Sequence, residues 1–159
     1  MKTYHLKTQV WLPRPPSEIF AFFSNPRNLQ RITPPWLNFE ILTPEGVEIH
    51  KGTLLDYRLK IRRFPVKWQS KITAWQPPHR FVDEQTRGPY TFWIHEHTFE
   101  AQSGGTIVAD RVDYVTPGGW IIQKFLIAPD LDRIFRYRQE ILRKLFDPNI
   151  DTLPKPVQS

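Results

Sequence analysis

The sequence predicts an α+β fold in which a curved, seven-stranded antiparallel sheet surrounds one long C-terminal helix, with two short helices after the first strand. Three observations lead there. Seven segments carry β-branched and aromatic residues with an alternation of period two. Glycines and prolines sit between them in the pattern of meandering hairpins. One amphipathic run near the C-terminus is long enough to cover the apolar face of such a sheet. At 159 residues the chain suits a single domain.

Residues 4–12 alternate, with Tyr4, Leu6, Thr8, Val10 and Leu12 on one side and His5, Lys7 and Gln9 on the other, which marks a half-buried strand. Pro15-Pro16 begin a helix, since proline is tolerated in a first turn, and Ile19, Phe20 and Phe23 form its apolar face. Asn25 caps a second short helix that ends before Pro34-Pro35. Strands follow over 37–43, 52–62, 66–75, 80–87, 91–101 and 106–115. Their connections contain Gly46, Pro65, Pro77-Pro78, Gly88-Pro89 and Gly104-Gly105. After Gly118-Gly119 the chain turns helical, and Pro129 is expected to divide it into a short piece near 120–127 and a longer helix from about Asp130 to Phe146. Residues 1–148 therefore read as one domain, and 149–159 as a flexible tail.

Composition excludes several functions. With no cysteine there is neither a disulfide framework nor a thiolate nucleophile or ligand. No apolar run approaches the ~18 residues of a membrane span, and the first residues lack the apolar core of a secretory signal. A cytoplasmic setting is expected. Neither a Gly-rich phosphate loop nor a dinucleotide fingerprint occurs, and Ser70 has no nucleophile-elbow context. No cofactor is expected. The formal charge of +6 raises the question of nucleic acid. However, Arg58, Lys60, Arg62, Arg63, Lys67 and Lys71 alternate with apolar residues across one hairpin, the pattern of a solvated outer face. Nucleic acid is therefore not an expected partner.

Period two also assigns the inner face. Leu55, Tyr57, Leu59 and Ile61 point in from one strand, and Trp68, Ser70 and Ile72 from the next. Trp93, His95, His97 and Phe99 share a face, as do Val108, Asp110, Val112 and Tyr114. For Phe81, Asp83 and Gln85 either face is arguable. On the last helix Leu131, Ile134, Phe135, Ile141, Leu142 and Leu145 form an apolar stripe, with Arg138 in its middle. Arginine is rarely buried unless paired.

A candidate ligand site follows: Tyr57, Trp68, Gln85, Trp93, His95, His97, Phe99, Asp110, Tyr114 and Arg138. Arg138 has two open roles, an ion pair with Asp110 or Asp83 and contact with an anionic ligand group. His95 and His97 project side by side and read first as satisfied members of a polar network, and second as ligand hydrogen-bonding or acid–base groups. Two ligands do not make a metal site, and none is expected. The tryptophans and Phe99 can be core, pocket wall or both.

The string Gly88-Pro89-Tyr90-x-x-Trp93-x-His95-x-His97-x-Phe99, with Gly105-Thr106, Asp110-x-Val112-x-Tyr114, Pro117 and Phe135-x-Tyr137-Arg138, resembles the SRPBCC (START-like, polyketide cyclase/dehydrase-like) superfamily, nearest to a bacterial branch. Pro15-Pro16-x-x-Ile19-Phe20 and Asn25-Pro26-x-Asn28-Leu29 fit as well, so the resemblance spans roughly residues 4–147. It implies a helix-grip fold, like that of START domains and birch-pollen allergens, with an internal pocket for a small hydrophobic partner. Lipid-, polyketide- or aromatic-like ligands with a polar or anionic end are the expectation. The alternative is a cyclase or dehydratase using a pocket histidine. The resemblance transfers no catalytic set, and the oligomeric state stays open.

Overall fold

The computed structural model describes residues 1–147 and 149. Seven antiparallel strands form one sheet: β1 (Tyr4–Leu12), β2 (Glu40–Ile41), β3 (Leu54–Ile61), β4 (Phe64–Gln76), β5 (Arg80–Arg87), β6 (Phe92–Gln102) and β7 (Gly105–Val115). Their spatial order is β1-β7-β6-β5-β4-β3-β2. The meander therefore runs from β2 to β7, and the first strand closes the far edge, with Tyr4 opposite Tyr114 and Leu12 opposite Thr106. Two register shifts in β4, at Gln69/Ser70 and Ile72/Ala74, bend the sheet. Helices α1 (Pro16–Phe23) and α2 (Pro26–Ile32) follow β1, and Asn25 caps α2 by accepting from the Arg27 amide. After β7 come α3 (Gly119–Ile122), a π-helical turn (Gln123–Ile127) and α4 (Ala128–Phe146). This is the helix-grip arrangement.

Three expectations need correction. Residues 37–43 are not a strand throughout. Pro35–Leu37 is a 3₁₀ turn and Asn38 takes a left-handed φ of 45°, so only Glu40–Ile41 pairs with β3. Pro129 does not break the last helix. The short piece ending at Ile127 and the longer helix α4 meet close to the expected division, but the backbone stays helical across the join, and the irregularity is the π turn just upstream. Leu145 does not share the buried stripe. It is 38% exposed, while Phe146, four residues after the buried Leu142, packs edge-on against Phe22 at 5.3 Å. The tail expected over 149–159 falls almost wholly outside the described residues.

Strand faces match the alternation. Leu55, Tyr57 and Leu59 are buried between exposed Leu54, Arg58 and Lys60, and Trp93, His95, His97 and Phe99 are all buried. The core has two parts. One joins Phe20, Phe81, Phe99 and Leu142 beneath α1, and the other joins Trp93, Val112, Tyr114, Leu131 and Phe135 beneath α4. No helix among the described residues is long and apolar enough to cross a membrane. Leu142 is fully enclosed, so Leu142→Ala is expected to lower stability by about 2–5 kcal/mol in chemical denaturation.

Candidate functional site

Between the sheet and α4 lies a cavity of about 730 Å³. Its walls are mostly apolar: Phe22 and Phe23 of α1, Leu29 of α2, Phe39, Leu55 of β3, Ile72 of β4 and Phe135 of α4 among them. One corner is polar. There β5, β6, β7 and α4 bring Asp83, His95, His97, Asp110 and Arg138 together. His95 Nε2 lies 2.8 Å from Asp110 Oδ1, and His97 Nε2 lies 2.8 Å from Asp83 Oδ2. The Arg138 guanidinium reaches Asp110 Oδ1 and His97 Nδ1, each at 3.2 Å, and sits over the rings of Phe23 (5.2 Å) and Phe135 (5.9 Å). The two imidazoles stack with centroids 3.7 Å apart. Trp68 Nε1 donates to Ser70 Oγ at 3.0 Å, at the edge of the same corner.

Of the ten residues expected from sequence, Tyr57, Trp68, Trp93, His95, His97 and Arg138 line the cavity. Four do not. Asp110 lies behind the histidines, 4% exposed, and acts through them and Arg138. Phe99 is core, packed at 5.2 Å from both Phe20 and Phe23. Tyr114 is enclosed by Tyr4, Tyr90 and Trp93, and its hydroxyl accepts from Gln123. Gln85 braces the β5–β6 connection, donating to the Tyr90 carbonyl at 2.7 Å and accepting from the Tyr90 amide. An inward-facing position is thus not always a cavity position.

Asp83 belongs to the site although strand alternation left its face open. Pairing with His95 across β5–β6 fixes it inward. The walls supplied by α1 and α2, and Tyr90, also escaped the sequence reading; the paired Phe22-Phe23 and the Gly-Pro-Tyr turn were the available signals. Arg62 and Arg63 line the cavity mouth and do not join the solvated outer strand face, because both take positive φ (48° and 71°) at the tip of the β3–β4 turn.

A family model described as polyketide cyclase/dehydrase and lipid transport matches residues 12–143. The chain belongs to that family. Solved structures share its fold at low identity. The Zhui aromatase/cyclase from Streptomyces sp. R1128 has a TM-score of 0.71 or better, at 0.73, with 13% identity over 94% of this chain and 96% of that one. Protein CV1439 from Chromobacterium violaceum gives 0.71 and 12% identity over 91% and 97%. The major latex-like protein 151 from Panax ginseng gives 0.68 and 14% over 92% and 99%. No curated protein is a sequence match.

Within this member of the family, the polar corner sets two carboxylates against a guanidinium and two imidazoles. Burial opposes ionisation of Asp110, yet the Arg138 guanidinium and the hydrogen bonds from His95 and His97 hold its carboxyl well below the usual range. Burial likewise pushes Asp83 up, and the hydrogen bond from His97 with the nearby cations more than reverses it. The histidines diverge. Burial and then the neighbouring His97 lower the basicity of His95, whereas for His97 the bonds to Asp110 and Asp83 outweigh burial and raise it. Two carboxylates thus face Arg138 and two imidazoles of unequal basicity, His97 holding a proton more readily than His95. His95 Nε2–H donates to Asp110, so its Nδ1 carries the lone pair, 4.0 Å from Asp83 Oδ2.

The donor atoms of Asp83, His95 and His97 lie within 4.8 Å of one another, close enough to consider a metal ion. The stacked imidazoles already spend one nitrogen each on a carboxylate, His95 Nε2 on Asp110 and His97 Nε2 on Asp83. The guanidinium beside Asp110 adds positive charge.

The divergence of the imidazoles fixes a pH dependence. Near pH 6.5, the ordinary histidine value, the unfolded chain holds about one proton on this pair, and so does the folded chain, on His97. Above it, the stabilisation from His97 is lost as pH rises through its elevated folded value. Below it, that from His95 is lost as pH falls toward its depressed one. Stability in urea is expected to peak near pH 6.5; a monotonic profile from about pH 5 to 8 would contradict the assignment.

Proposed function

We propose that the protein binds a small, largely hydrophobic molecule whose inner end carries a hydroxyl or another hydrogen-bond donor. The observation that carries this reading is the cavity's contrast: extensive apolar walls and one polar corner, where Asp83 and His95 offer acceptors and the buried Arg138 Nε–H, without a hydrogen-bond partner among the described residues, is a donor. His95 Nδ1 offers a lone pair and Asp83 a carboxylate. An aromatic or aliphatic body gains about 25 cal/mol per Å² of apolar surface buried. A donor hydroxyl completes the corner, whereas a carboxylate there meets Asp83. Arg138 only partly offsets that repulsion: its Nη2 is paired with Asp110, and its buried Nε–H is left without a partner among the described residues. An anionic group on the ligand therefore belongs at the mouth, beside Arg63 and Arg133.

A second reading rests on the same His95 nitrogen. A lone pair held toward an apolar cavity by a fixed Nε2–H bond is placed to take a proton from carbon next to a carbonyl, as a cyclase or dehydratase requires. Tyr57 lies in the same wall, its hydroxyl held protonated first by burial and then by Asp83, and so is able to donate to an enolate oxygen. Catalysis predicts that deuterium exchange into a 1,3-diketone bound in the cavity is accelerated by about 10²–10⁴ and that His95→Gln abolishes this with binding retained. A carrier predicts no acceleration.

Ligand preference tests the main reading. Titration calorimetry with 2-naphthol and 2-naphthoate is expected to favour the neutral alcohol by about tenfold or more, and Asp83→Asn is expected to narrow the gap. Equal or tighter binding of the carboxylate would overturn the assignment of the inner end. Native mass spectrometry of protein from its own host then identifies the molecule itself.

A further inference from the structure

The cavity opens where its lining reaches solvent, at Trp36, at Arg62 and Arg63 of the β3–β4 turn, and at Arg133 near the start of α4. Four large apolar side chains stand exposed around this mouth: Phe64 at 73%, Phe125 at 62%, Trp120 at 61% and Ile121 at 56%. They form one rim. Phe64 is the direct partner of Ile61, so it shares the concave face with a cavity-lining residue. The other three belong to the stretch 119–127, whose Ile122 and Ile127 line the cavity from within. An ion pair of 3.1 Å between Arg62 and Asp130 fastens the turn to the helix. This helical stretch is therefore apolar on both sides, and only the inner side is accounted for by the fold.

Cations are set among these apolar groups. Lys124 Nζ lies 5.9 Å from the Trp120 ring centre and 5.6 Å from that of Phe125. Arg63 and Arg133 flank the opening. Among the described residues none of these three cations pairs with a carboxylate, while nearby Asp130 and Asp132 are engaged by Arg62 and Arg136. A clustered patch of this kind marks an interaction surface. A second copy of the chain would press like charges together. A bilayer interface meets both demands at once, with anionic phosphates at the level of the cations and an acyl boundary for tryptophan, phenylalanine and isoleucine. It would also place the mouth against hydrocarbon, so that an apolar ligand need not cross water.

We propose that this rim docks on an anionic lipid surface, with Trp120, Ile121, Phe125 and Phe64 entering the interface and Arg63, Lys124 and Arg133 meeting its phosphates. The proposal goes beyond ligand binding and fails separately from it.

Vesicle flotation decides it. The full-length protein is mixed with vesicles of phosphatidylcholine alone, or with about one-third phosphatidylglycerol. Binding to the anionic vesicles is expected to be about tenfold tighter or more, and to weaken with salt. The exposed pair Trp120→Ala/Phe125→Ala is expected to lose about tenfold with an unchanged melting temperature. Arg63→Glu/Lys124→Glu should lose roughly fivefold or more per site, and far less should follow from Lys60→Glu/Lys67→Glu, the same charge change on the outer face. Indifference to phosphatidylglycerol overturns the proposal, as does equal loss in the outer-face control. So does a lipid-free dimer that the Trp120/Phe125 variant dissociates, since a second copy would then cover the rim. Uptake of the neutral dye N-phenyl-1-naphthylamine reports the cavity and should survive Trp120→Ala/Phe125→Ala, whose side chains do not line it.

Discussion

The Arg138 guanidinium, buried between α4 and the sheet, is the constraint around which the concave side is organised. A charge in that position is costly unless fully engaged, and its engagement draws in one strand after another. Asp110 comes from β7, the histidine pair from β6 and Asp83 from β5. The network therefore does two things. It fixes the position of α4 over the sheet within hydrogen-bond tolerance, and it leaves the volume toward β3 and β4 unfilled. The polar corner and the cavity are consequences of the same anchoring.

Much of this was legible in the sequence because two periodicities are strict. Alternation in β6 placed Trp93, His95, His97 and Phe99 on one face, and the helical stripe placed Arg138 among leucines and phenylalanines. One charge on an apolar stripe demands partners, and the sequence offered Asp110 or Asp83, of which Asp110 pairs with it directly. What periodicity does not contain is depth. Phe99 and Tyr114 face inward like Trp93, but α1 covers the first and Tyr90 with Gln123 covers the second. Gln85 is consumed by a local turn. The mouth was also hidden, since Arg62 and Arg63 leave the strand pattern through positive φ at a turn tip.

Family membership explains the architecture and leaves the chemistry to side chains. In this chain the chemistry is graded along one path. Exposed aromatics and cations lie at the rim, aliphatic and aromatic walls follow, and paired acceptors stand at the far corner. The zones share elements: α4 supplies Arg133 to the mouth, Phe135 to the wall and Arg138 to the corner, and β6 supplies Trp93 and both histidines.

The π turn at Gln123–Ile127 holds one residue more than an α-helical turn would. That surplus sets the phase between Trp120 and α4. Removing a single residue there would restore α-helical pairing and rotate the upstream segment by about 100°, carrying Ile122 off the cavity and a different side chain into its place. The roof of the chamber is thus indexed like a ratchet, with discrete settings and no smooth slide between them.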